Sequence, residues 1–160
     1  MHGILKVVHG TLSMSCYDKI PQLSLSQQKL IPSTLQNRTD LIERGVFVPV
    51  SSIFSDSIVT STSSPKILSP DNGNFHKICN KSDNPAAFVD ILAPPYNHKG
   101  FELSMDGDSV VRECEYFKEV TFHSNNTAED DPHIKWLKMI NTPSDFTCDS
   151  ESYLGPTIEP

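Results

Sequence analysis

Three side chains in the middle of this sequence could do chemistry together. His76 lies in Asn74-Phe75-His76-Lys77-Ile78, a short run that reads as a strand. Asp90 lies in Ala86-Ala87-Phe88-Val89-Asp90-Ile91-Leu92, which is otherwise apolar. An acid inside an apolar strand costs free energy unless it finds a partner, so Asp90 is expected to face a cation or a donor. Tyr96 follows at once on a rigid Pro94-Pro95 turn. Further on, Cys114 and Tyr116 stand two residues apart in a predicted strand over Glu113 to Phe122, and period two puts them on one face.

The elements that must hold these groups are mostly strands. Ile4 to Val8 is aliphatic, His9-Gly10 reads as a turn, and Thr11 to Tyr17 alternates; together they predict a hairpin. From about Ile20 to Lys66 the pattern dissolves into a loop-rich insertion. It carries at most one helical turn near Thr39 to Arg44, and its Ser/Thr-rich part from Ser51 to Pro65 reads as strand or mobile loop. Asp71-Asn72-Gly73 is a turn signal. Strands then follow at Phe75 to Cys79, Ala86 to Leu92 and Ile134 to Ile140, with loops over Asn97 to Gly107 and Ser124 to Asp131. Short strands, Gly/Pro/Asn turns and no long helix predict an all-β antiparallel barrel or sandwich in one domain spanning 1–160.

Composition narrows the function classes. The formal net charge is -7, which disfavours a nucleic-acid partner. No apolar run reaches the roughly 18 residues of a membrane helix. The first residues are too short and too polar for a signal peptide, so a cytoplasmic setting is expected. The four cysteines, Cys16, Cys79, Cys114 and Cys148, form no C-x-x-C pair and are expected as reduced thiols.

The block from Pro85 to Tyr96, with Phe75-His76 before it, resembles the cysteamine (2-aminoethanethiol) dioxygenase and plant cysteine oxidase family of cupin thiol dioxygenases. Met1 to Val7, Gly10-Thr11, Ser15-Cys16 and Asp18-Lys19 are similar to the same family, as are Cys114-Glu115-Tyr116 and the run Trp136-Leu137, Pro143, Asp145-Phe146, Cys148, Tyr153 and Gly155-Pro156. The resemblance implies a cupin-like double-stranded β-helix (jelly roll). It also implies Fe(II) and O2 as reactants that convert a thiol to a sulfinate. The substrate would be cysteamine, giving hypotaurine, or a protein N-terminal cysteine, and the protein is expected to be a monomer.

The same resemblance assigns roles. His76 matches the third of three neutral histidine ligands to the metal. Asp90 matches an acidic residue that would attract the substrate ammonium, and Tyr96 a pocket tyrosine that would hydrogen-bond substrate or oxygen. Cys114 and Tyr116 match a pair that can form a thioether. Plain alternatives stand beside each role: a strand histidine satisfied by a carbonyl, an acid capping a backbone amide, a packing tyrosine, and a free cysteine beside a packed tyrosine. His2, His9, His98, His123 and His133 are weak candidates on turns or polar loops. In the family two iron-binding histidines, in an H-x-H-P-G-M pattern, precede the position of Met1. The expectation is therefore an N-terminally truncated domain, incomplete at that edge, that binds Fe(II) weakly and lacks turnover by itself. The alternative function is a catalytically dead, thiol-dioxygenase-like fragment or isoform acting as a binding module.

Overall fold

The computed structural model describes residues 2–25, 27–94, 96, 113–122, 134–147, 149 and 154–156. Among the described residues, eight strands form two antiparallel sheets: β1 (His2–His9), β2 (Thr11–Lys19), β3 (Phe47–Thr60), β4 (Lys66–Leu68), β5 (Phe75–Cys79), β6 (Ala87–Ala93), β7 (Tyr116–Val120) and β8 (Ile134–Ile140). One sheet has the order β4-β1-β6 and the other β5-β2-β3-β8-β7. This is the all-β antiparallel sandwich that the strand pattern predicts, consistent with the cupin-like fold that the resemblance implies.

The expected hairpin of β1 and β2 is corrected. β1 pairs with β4 and β6, while β2 pairs with β3 and β5, so the chain changes sheets between them. The corner is Gly10, at φ +71, and a Cβ there would stand 2.7 Å from the Pro85 carbonyl oxygen. A glycine turn signal reads the same in sequence whether the chain folds back or crosses over.

The insertion is also more regular than expected. It holds a 3-10 turn (Gln27–Leu30) and two short helices, α1 (Ser33–Gln36) and α2 (Thr39–Glu43). Its second half is β3, fourteen residues long and central in the larger sheet. Register shifts between Met14 and Cys16, and again between Cys16 and Tyr17, mark bulges against β3. Bulges break the period-two alternation, which is why Ser51 to Thr60 reads as strand or mobile loop alike.

The five-stranded sheet has two working faces. Its front face meets the small sheet, and Leu12, Met14, Cys16 and Val59 pack there against Leu5, Val7 and Leu68. Its back face carries Tyr17, Val48, Val50 and Leu137, flanked by Phe75 and Phe117. The sheet is strongly curled about this back face. Phe75 on one edge strand and Phe117 on the opposite edge strand meet ring to ring, edge-on, at 5.0 Å. Flat, four interstrand steps would hold those edges about 19 Å apart.

Candidate active site

The candidate residues gather where three edge strands end the two sheets. His76 is on β5, the edge strand beside β2, directly opposite Cys16. Opposed residues of an antiparallel pair share a face, so His76 belongs to the front face with Cys16 and Met14. Asp90 is on β6, the edge strand of the small sheet, directly opposite the buried Leu5. It therefore also turns toward the space between the sheets. Tyr116 opens β7, the far edge of the curled sheet, and the alternation places it opposite in phase to Phe117.

These groups act on one another. Burial raises the Asp90 carboxyl above its ordinary value, and the nearby His76 opposes that rise. Tyr96 is pushed up to about 12, first by burial, then by the Cys114 charge and a side-chain hydrogen bond with Cys114, then by Asp90 and Tyr116. His76, Asp90, Tyr96, Cys114 and Tyr116 thus form one electrostatic neighbourhood. At neutral pH the Tyr96 hydroxyl stays protonated and able to donate.

His76 and Asp90 are solvent-exposed and Tyr96 and Tyr116 half-buried, so among the described residues the group lines an open seam. Edge strands lack a neighbour on one side, and that opens the inward face of β5 and β6 to water. The expected strand over Glu113 to Phe122 is corrected to Tyr116–Val120: Cys114 is exposed and precedes β7 instead of lying on it. Tyr116 stacks at a tilt on Phe146, with ring centroids 5.6 Å apart.

The other histidines stand apart from the seam or outside it. His2 and His9 begin and end β1 and are exposed. His98, His123, His133, Cys148 and Tyr153, with the loops expected over Asn97 to Gly107 and Ser124 to Asp131, lie outside the described residues. Among the described residues, no three His, Cys, Asp or Glu side chains converge as a metal cage. Among the described residues, His76 alone is an accessible imidazole donor at the seam.

Sequence reasoning missed the network behind the seam. The Tyr17 hydroxyl donates to Glu119 at 3.5 Å, and Lys135 forms an ion pair with Glu119 at 2.5 Å. Tyr17 and Glu119 are 102 positions apart, beyond any local pattern. A signal did exist in Phe75 and Phe117, each one residue out of phase with a candidate site residue.

Comparison with known proteins identifies the family. The PCO_ADO family matches residues 1–158. The 2-aminoethanethiol dioxygenase of Homo sapiens is 33% identical over 171 residues, covering 100% of this chain and 57% of that protein. The 2-aminoethanethiol dioxygenase of Mus musculus is 34% identical over 169 residues, covering 100% of this chain and 59% of that protein. The chain thus spans just under three fifths of the length of these curated relatives. With a match over nearly every residue and identities above 30%, the chain belongs to the PCO_ADO family.

Proposed function

We propose that this chain carries the substrate-handling side of a thiol dioxygenase, acting on cysteamine or on a protein N-terminal cysteine to give the sulfinate. The observation that carries the reading is the convergence of Asp90, His76, Tyr96 and Cys114 on one open seam. A carboxylate that burial pushes up gains from a cation placed beside it. The ammonium of cysteamine, or of an N-terminal cysteine, is such a cation and would make a charge-assisted hydrogen bond to Asp90. The Tyr96 hydroxyl, held neutral to about 12, is a donor for the thiol end of the substrate or for oxygen. The open seam admits a small thiol and a peptide terminus alike. The expected setting is a cytoplasmic monomer, and among the described residues no helix is long and apolar enough to cross a membrane.

Fe(II) is the cofactor this family reading implies. The described residues do not complete a site for it, because one imidazole on an edge strand is far short of the several preorganised ligands an iron centre needs. His76 would be one donor of the set. The reading therefore rests on the substrate-facing residues.

The test is thiol-dependent oxygen uptake and sulfinate formation with cysteamine and with a Cys-initiated peptide, alongside iron content by elemental analysis. It is run on the 160-residue chain and on a version carrying the H-x-H segment that the resemblance places ahead of Met1. Turnover should appear with iron, be abolished by His76→Ala together with the iron, and fall at least tenfold in Asp90→Asn for the cationic substrates. Iron-loaded protein that consumes no thiol would instead support the binding-module reading. Full turnover in His76→Ala would remove His76 from the site.

A further inference from the structure

We propose that Phe75 and Phe117, backed by the Tyr17–Glu119 hydrogen bond, form a clasp that positions His76 and Tyr116 from behind. The assignment builds on the reading of His76 and Tyr116 as site residues. The argument begins with topology. β5 and β7 are the two outermost strands of a five-stranded sheet and share no backbone hydrogen bond. Among the described residues, only side chains hold these two edges together. One contact on the back face joins them directly, the Phe75–Phe117 ring pair at 5.0 Å, and the Tyr17 hydroxyl, on β2 opposite Phe75, ties the same corner to β7 through Glu119 at 3.5 Å. Lys135 on β8 fixes the Glu119 carboxylate from its other side.

Strand alternation carries that clasp through to the front. Phe75 and His76 are consecutive on β5, and Tyr116 and Phe117 are consecutive on β7, so each aromatic of the clasp points opposite to its neighbour. The gap between the His76 and Tyr116 backbones is set by how closely the two phenylalanines approach. Alternation turns both phenylalanines away from the seam. Edge-to-face aromatic pairs hold a preferred geometry beyond the area they bury, which suits a spacer. Edge strands without such a tie would open readily, since local opening is easiest where backbone hydrogen bonds are few.

The measurement is amide hydrogen exchange, followed by NMR on the 160-residue chain, and it involves neither thiol nor metal. Phe117→Leu keeps an apolar side chain of similar bulk but removes the ring. In that variant the hydrogen-bonded amides of β5 should exchange about tenfold faster, although β5 lies four strands away in sheet order, while those of β2 and β3 between them change less than about twofold. Phe75→Leu should do the same to β7. Phe117→Tyr, which restores the ring, should restore protection on β5. Tyr17→Phe, which keeps the buried ring and deletes only the hydroxyl, should give a smaller change of the same sign and covers the case in which a leucine variant fails to fold. Ordinary packing would loosen β7 and its bonded neighbour β8 and stop there. Loosening confined to β7 and β8 in Phe117→Leu, or unchanged β5 exchange in Tyr17→Phe where the leucine variants do not fold, overturns the clasp. Because no turnover is read, a failed clasp leaves the thiol reading untouched, and a failed thiol reading leaves the clasp untouched.

Discussion

Cys16 and His76 face each other across one strand pairing, yet one is 1% exposed and the other is open to solvent. The same step separates Leu5, 2% exposed, from Asp90. The front face of this fold therefore passes from dry core to wet seam within a single interstrand distance, in both sheets at once. The inner strands β1, β2 and β3 hold the apolar contacts that stabilise the fold. The edge strands β5 and β6 hold the groups that can meet a ligand. Placing polar chemistry on edges lets it vary without loss of the core, because a polar group that solvent reaches carries a far smaller desolvation penalty than one in the core.

The sharpest break between the two regions should appear in thiol chemistry. Burial pushes the Cys16 thiol up to about 11, with the Lys66 charge opposing and the Asp18 charge adding. At pH 8 roughly one Cys16 in a thousand would be thiolate, against roughly a quarter of an ordinary cysteine, so native labelling should be slowed more than about 100-fold. Cys114 is exposed at the seam. Mass-mapped alkylation at pH 8 should modify Cys114 in the native protein and reach Cys16 only after denaturant is added. Comparable native rates at the two positions would show that the core at β2 opens as easily as the seam.

Truncation of the core comes next in size. Met14 is fully buried between the sheets. Met14→Ala should lower the unfolding free energy by about 2–5 kcal/mol, the lost transfer energy plus the cavity left behind. Urea denaturation followed by circular dichroism measures it, and a loss below about 1 kcal/mol would mean that the two sheets are not tightly packed there.

Much of this contrast was legible before any coordinates, and the illegible part has physical reasons. Asp90 stood out because an acid interrupted a run of Phe, Val, Ile and Leu. β8 was found at Ile134–Ile140 to the residue, and β5 at Phe75–Cys79, because turn or polar residues bound both. The sheet change at Gly10 was not legible, since φ > 0 serves a hairpin and a crossover alike. The bulges of β3 make its sequence ambiguous between strand and loop, and Asp56, at φ +50 in that bulged stretch, ties Ser13, Ser15 and Lys81 together across distances no local pattern spans. Openness was the feature of the site that sequence could not give. Phase shows which face a residue takes, but whether that face is covered depends on which strand ends the sheet.

Far smaller effects should follow from emptying the seam. His76 is exposed, and no backbone carbonyl among the described residues accepts from its ring. His76→Ala should therefore change the unfolding free energy by no more than about 0.5 kcal/mol, in the range of ordinary surface substitutions. The plain alternative, a structural strand histidine held by a carbonyl, requires a loss of about 1–3 kcal/mol from the orphaned acceptor. Chemical denaturation near pH 7 separates the two.

The smallest effect is the pH dependence carried by Asp90, and its sign distinguishes a seam waiting for a cation from one already satisfied. Burial raises the folded-state value of this carboxyl above its ordinary 3.8, with His76 opposing. A raised acid binds its proton more tightly in the folded than in the unfolded chain. Its stabilising contribution is then complete below about 3.8 and is lost as pH rises through the folded value. Solvent reaches Asp90, so screening keeps the whole effect to about 0.5 kcal/mol or less. Asp90→Asn cannot ionise, and its stability relative to the unmodified chain should increase as pH is raised from 3 to 7. The His76→Ala background should enlarge that increase, because the opposing charge is gone. Millimolar cysteamine should shrink it, because an ammonium beside the carboxylate supplies what burial removed. Urea midpoints at several pH values, with and without cysteamine, read all three. An advantage of the asparagine variant that instead declines with rising pH would mean that the Asp90 carboxylate already has a cation in the folded chain. In that case the acid would be a structural element of the edge and not the ammonium-binding group of the seam.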